Sequence, residues 1–189
     1  MSTVQPTAVP PEVISKALRT HLFHEDEELQ TYAVLDGASV PDLLDQLYGD
    51  DPPEFLCLYR GDLEPDLAEV APYLVQLKPE SPFTEWLLGN CWGNHWGIFA
   101  TSTEDIDVIR RHFRNFLMVK DPEGKQIYFR FYDPRVLRIY LPTCNPDEVQ
   151  SIFGPVHAYL MESESQSDAL QFSVKDGVLR KVLLALADK

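Results

Sequence analysis

Apolar positions return along the chain with two different periods, and the switches between them outline the elements. From Pro11 to Phe23 the residues Val13, Ile14, Ala17, Leu18 and Leu22 recur at helical spacing, which predicts an amphipathic helix. The acidic stretch Glu25–Glu28 reads as a solvated loop. Tyr32–Asp36 (YAVLD) is a short apolar run suited to a buried strand. Ser39-Val40-Pro41-Asp42 then supplies a cap, an early-turn proline and a first-turn acid, and Gly49 a stop, so a helix is expected between them. Phe55–Tyr59 and Pro72–Leu77 read as the second and third strands. Ser81-Pro82 opens a helix through Trp86, Leu87 and Leu88 that Gly89 closes, and His95–Ala100 reads as a fourth strand. Ser102 or Thr103 caps a longer helix with Ile106, Ile109, Phe113, Phe116 and Leu117 as its buried stripe. Arg110, Arg111 and Arg114 lie away from the centre of that stripe, facing water or a partner.

Beyond residue 120 the pattern becomes richer in strands. Ile127–Tyr132 (IYFRFY) alternates, with Tyr128, Arg130 and Tyr132 on one face and Ile127, Phe129 and Phe131 on the other. Asn145-Pro146-Asp147-Glu148 starts a short helix that Gly154 ends. Val156–Met161 and Leu170–Val174 read as strands, and Asp176-Gly177 as a turn. Val178–Leu186 fits either period and is read as a helix. Strands alternating with helices predict an α/β protein with a mixed, partly parallel sheet flanked by helices. The expected organisation is a flexible tail over 1–11, an α/β core lobe over 12–120 and a smaller C-terminal lobe over 121–189.

Composition sharpens this picture. With 44% hydrophobic residues among 189, the chain can bury a proper core. It carries 16 basic and 30 acidic residues, a net charge of −14, which argues against nucleic acid and anionic membranes as partners. The charge is uneven: residues 1–109 hold 4 basic and 20 acidic residues, whereas residues 110–138 hold 8 basic and 3 acidic. That basic segment reads either as ordinary ion pairing within the fold or as a docking face for an acidic partner. No stretch approaches the roughly 18–20 apolar residues of a membrane span. Met1–Pro11 has neither the charged nor the apolar region of a secretory signal, so a cytoplasmic location is expected. The three cysteines, Cys57, Cys91 and Cys144, are then expected to be reduced and mostly buried.

Motifs of catalysis are scarce. There is no Gly-x-Ser-x-Gly elbow and no phosphate loop, and Asp36-Gly37-Ala38-Ser39 lacks the glycine spacing of a dinucleotide site. Cys91 and His95, in CWGNHW, come nearest to a reactive pair, but no second close Cys/His pair completes a metal site. Asp36 ends a buried strand, where α/β enzymes place functional groups, or it simply caps the next turn. No catalytic, cofactor-binding or metal-binding residue is assigned, and no cofactor is expected. Trp92 and Trp96 read as packing residues of the turn, with partner contact as the alternative. The most distinctive run is Phe129-Arg130-Phe131-Tyr132-Asp133-Pro134-Arg135. Two arginines bracketing an aspartate can build a bidentate network that fixes a turn, or can present arginine and tyrosine to a partner.

FRFYDPRVL at 129–137 followed by FGPV at 153–156 resembles the family called domain of unknown function 4123. YAVLDGA (32–38), LYRG (58–61), APYLVQL (71–77), HWGIFATS (95–102) and RRHFR (110–114) agree in order, so the resemblance covers roughly residues 30–160. It implies an adaptor chaperone of type VI secretion. Such a protein binds a toxic effector in the producing cell and helps place it on the spike-tip protein, without turnover. The expected partners are the cognate effector and the spike-tip protein. Arg130, Phe131, Tyr132, Asp133 and Arg135 are the candidate partner-binding residues. The alternatives are an immunity protein that neutralises a toxin and an α/β enzyme with a site at Cys91, His95 and Asp36.

Overall fold

The computed structural model describes residues 9–23, 28–120 and 123–187. Most of the expected tail and most of the acidic loop, residues 1–8 and 24–27, lie outside the described residues. Helix α1 (Pro11–Leu22) starts with proline at its first position and buries Ile14, Leu18 and Leu22, one residue per turn. Strand β1 (Gln30–Asp36) runs through the centre of the molecule with all but its first residue buried. Around it lie α2 (Leu43–Leu47), β2 (Phe55–Cys57), α3 (Pro65–Glu69), β3 (Pro72–Leu77), α4 (Pro82–Asn90) and β4 (Gly97–Ser102). Then follow α5 (Ile106–Arg114), the hairpin of β5 (Met118–Lys120) and β6 (Gln126–Tyr128), α6 (Pro134–Tyr140) and α7 (Pro146–Phe153). The strands β7 (Ala158–Glu162), β8 (Asp168–Lys175) and β9 (Val178–Ala185) finish the chain.

Seven strands form one sheet in the order β2-β3-β1-β4-β7-β8-β9. Every neighbouring pair is antiparallel, which corrects the expectation of a partly parallel sheet. The cause of the misreading is burial. Apolar runs without alternation signal a strand covered on both faces, and here helices provide that cover whatever the strand direction. On one face Tyr32, Val34, Ile98, Ala100, Tyr159 and Phe172 meet α5, α6 and α7. On the other, Ala33, Leu35, Phe99 and Leu160 meet α1, α2 and α4. β4 pairs with β7 at Phe99 and Leu160, so residues 158–185 continue the same sheet. None of the helices is long and apolar enough to cross a membrane among the described residues.

Three further expectations are corrected. Ile127–Tyr132 is not one strand: β6 ends at Tyr128, and Asp133 caps α6 by accepting from the Arg135 N–H at 2.9 Å. The aromatic alternation of FRFY imitated a strand, but Asp133-Pro134 is an N-cap followed by the preferred first helical residue. Val178–Leu186 is a strand, because Asp176 and Gly177 adopt φ of 55° and 74° and return the chain in a two-residue hairpin turn. Arg114 does not face water freely: its guanidinium donates to the carbonyls of Cys57, Leu58 and Tyr59 at 3.0, 3.0 and 2.6 Å.

The FGPV run is a sharp corner between α7 and β7. Gly154 has φ 45° and ψ −112°, outside the range of L side chains. A Cβ there would lie 2.5 Å from the His112 ring. That ring donates from Nε2 to the Ile152 carbonyl (2.8 Å), which also accepts from the Tyr159 hydroxyl at 2.7 Å. Gly154→Ala is therefore expected to cost at least about 2 kcal/mol through backbone strain and overpacking. Urea unfolding measures this; an unchanged midpoint would contradict the corner's role.

Candidate functional site

β1 delivers Asp36 to the end of the sheet, fully surrounded by protein. Its carboxylate accepts from Ser39 Oγ at 2.7 Å and from the Ala38 N–H at 3.3 Å. The third donor is Arg130 Nη2, from the turn between β6 and α6. The same nitrogen lies 3.8 Å from Asp133 Oδ2. Asp133 in turn holds Arg135 in a bidentate pair, Nε at 2.9 Å and Nη2 at 2.8 Å. Two aspartates and two arginines thus form one connected network that ties the β1 end to the α6 start.

The electrostatics follow from burial and pairing. Burial alone would raise the Asp133 carboxyl, but the hydrogen bonds and charge of Arg135, with the charge of Arg130, leave it below the usual carboxylate range. Burial works against the Arg130 cation, yet Asp36, Tyr132 and Asp133 hold its guanidinium above the ordinary value. The bond to Asp133 holds Arg135 up likewise. The carboxylates are hidden and the cations are not: the Asp36 and Asp133 side chains are 3% and 5% exposed, those of Arg130 and Arg135 43% and 51%.

The two aromatics between the arginines point the other way. Phe131 is buried against Phe113 and Phe116, with ring centroids 5.2 and 6.1 Å away. Tyr132 is buried too, with the Arg130 guanidinium 6.0 Å from its ring centroid and its hydroxyl 3.3 Å from that of Tyr128. Of the five expected partner-binding residues, Phe131, Tyr132 and Asp133 therefore build the fold, and Arg130 and Arg135 reach the surface.

The residues of the enzyme alternative are engaged separately. Asp36 belongs to the arginine network. His95 Nδ1 lies 2.5 Å from Glu162 Oε2, and the His95 N–H donates to Glu162 Oε1 at 2.9 Å. Burial pushes the Glu162 carboxyl up, opposed by its bonds to His95 and Gly93. Burial also pushes the Cys91 thiol far up, away from the reactive thiolate. The cavity beside Cys91, Trp92 and Glu162 holds only about 10 Å³, the space of one water. No group of three or more His, Cys, Asp or Glu side chains that could hold a metal ion occurs among the described residues. Trp92 and Trp96 pack into the second core face, with the Trp92 indole N–H donating to the Gln166 carbonyl at 2.9 Å.

Sequence reasoning missed Glu162 and the Asp36–Arg130 link. Glu162 closes the apolar run AYLME, and an acid ending a strand buried along most of its length was the available signal. Nothing local announced the link, whose partners are 94 residues apart.

An antiparallel sheet with helices on both faces, pinned at one end by a buried aspartate–arginine network, defines a mixed α/β protein that displays two arginines. The chain belongs to the family described as domain of unknown function (DUF4123), whose profile matches residues 31–151, well over half of its length. The matched span includes Asp36 and the whole Arg130–Arg135 turn, and stops within α7. No curated protein and no solved structure matches the chain.

Two measurements check this site. Phe131→Ala is expected to cost about 3–5 kcal/mol, as a buried aromatic does, in urea unfolding; a loss under about 1 kcal/mol would return Phe131 to the surface. Asp133→Asn is expected to cost roughly 2 kcal/mol at neutral pH. Because the folded Asp133 titrates below its unfolded value, its contribution is present above the unfolded value and is lost as pH falls through the folded one. The gap between wild type and Asp133→Asn should therefore close in acid; a gap independent of pH would contradict the charged network.

Proposed function

We propose that this chain is a cytoplasmic adaptor chaperone. It binds a type VI secretion effector in the producing cell and promotes its loading onto the spike-tip protein, with no substrate turned over and no cofactor used. The observation that carries the proposal is membership of the DUF4123 family across residues 31–151, together with the adaptor role that the resemblance implies.

The geometry supports a binding role. Arginine is favoured at the centre of interfaces because its planar guanidinium makes several oriented hydrogen bonds at once. A flexible arginine loses conformational entropy on binding. Here Asp36 and Asp133 hold Arg130 and Arg135 from beneath, so much of that ordering is complete before a partner arrives. Acidic or carbonyl groups of the effector or the spike would meet preset donors.

Arg135→Ala tests this with least risk to the fold, since its side chain is half exposed and Asp133 keeps the Arg135 N–H. Tagged wild-type chain should capture an effector or a spike protein from producing cells, identified by mass spectrometry. Arg135→Ala, folded by circular dichroism, should capture at least tenfold less. Failure of the wild type to enrich either protein would contradict the adaptor reading, and undiminished capture by the variant would remove Arg135 from the interface.

A further inference from the structure

The two edges of the sheet are treated in opposite ways. An edge strand offers unpaired N–H and C=O groups, and proteins protect such edges with short strands, prolines, bulges or covering groups. The β2 edge has all but the bulge. It is three residues long, Pro52 and Pro53 precede it, and Arg114 occupies the carbonyls of Cys57, Leu58 and Tyr59. The β9 edge has none of these; its one protection is the charge of Arg180 and Lys181. It runs eight residues without proline, in unbroken register with β8 from Val178 to Ala185.

The composition of β9 is that of an interior strand. Val178-Leu179-Arg180-Lys181-Val182-Leu183-Leu184-Ala185 carries apolar residues on both faces, a pattern of strands with neighbours on each side. Leu179 and Leu184 pack on the two opposite core faces. Val178, Val182 and Leu183 stay open, at 54%, 45% and 58% exposure. The hairpin geometry fixes which amides are open. In a two-residue hairpin the flanking pair, Lys175 and Val178, exchanges both hydrogen bonds, so Leu179, Lys181 and Leu183 direct their N–H and C=O away from β8. The bond from the Leu186 N–H to the Ser167 carbonyl, 2.8 Å, keeps the same alternation at the far end.

Charge decides the occupant. Each copy carries a net charge of −14, which opposes self-association. Antiparallel pairing of two β9 strands must also set outward residues opposite outward residues, and the register centred on Lys181 puts that lysine opposite its own copy. Arg180 and Lys181 instead suit a foreign strand that brings carboxylates. We propose that β9 is a docking strand that takes up an extended segment of the effector, with apolar β-formers on both faces and Asp or Glu opposite Arg180 and Lys181. The proposal rests on the adaptor reading and adds the place and the mode of contact, strand addition to the sheet.

The test compares wild-type, Leu183→Pro and Arg180→Glu/Lys181→Glu chains, each full length and tagged, in capture from producing cells. Proline at 183 removes an outward N–H and no bond to β8, and circular dichroism and thermal unfolding confirm the fold of each variant. The wild type should retain the effector, and both variants at least tenfold less of it. In the wild-type complex, residue-resolved amide exchange should slow at least tenfold at Leu179, Lys181 and Leu183. Undiminished capture by both variants, or unchanged exchange at those three amides, overturns the docking strand while leaving the adaptor standing. A wild type that captures neither effector nor spike protein overturns both together. A dimer in sedimentation that Leu183→Pro makes monomeric overturns the foreign strand in favour of a second copy.

Discussion

The ion pair between Asp36 and Arg130 is the constraint on which the arginine-bearing end of this molecule depends. It joins the last residue of β1, an interior strand of the sheet, to a turn 94 residues later. Asp36 is buried at the end of the sheet, and a buried carboxylate without a cation is costly. Arg130 answers that charge, and its position fixes Asp133, which caps α6 and grips Arg135. Phe131 and Tyr132, between the linked residues, are thereby drawn into the core. One electrostatic requirement at the tip of β1 thus orders a turn, starts a helix and sets two guanidinium groups at the surface.

The local features of this arrangement were legible in the sequence, and the long-range ones were not. Strands at Tyr32–Asp36 and Pro72–Leu77 followed from apolar runs, and α4 and α7 from the helix starts Ser81-Pro82 and Asn145-Pro146-Asp147-Glu148. Strand direction was not legible, because cover on both faces erases the alternation that marks many antiparallel sheets. The Asp133-Pro134 helix start was written in the sequence but lost against the alternation of FRFY. The turn at Asp176-Gly177 was read, yet its consequence for β9 was not, since leucines suit either period. At the site, the arginines and Asp133 were visible as a motif. Asp36 as their counterion, and Glu162 as the partner of His95, depend on contacts that only the fold brings together.

Stability and the proposed binding divide the RFYDPR motif between them. The inward residues supply apolar burial and charge neutralisation, and the outward arginines supply oriented donors on a turn that cannot easily move. The basic segment 110–138 of an acidic chain follows the same division, for Arg114 closes the β2 edge from within while Arg130 and Arg135 stay half exposed. Closing one sheet edge also leaves β9 as the open side of the sheet. The proposed adaptor role would have a rigid charged turn and a free strand to draw on, two kinds of contact suited to holding a second protein.

Effector delivery in the presence and absence of the chain tests the central claim most directly. Producing cells lacking the chain are compared with cells resupplied with it, and the effector on assembled spikes is quantified alongside assembly itself. The account predicts that the effector disappears from the spikes while assembly continues, and returns with the wild-type chain. Spikes that carry their full load of effector in the absence of the chain would contradict it.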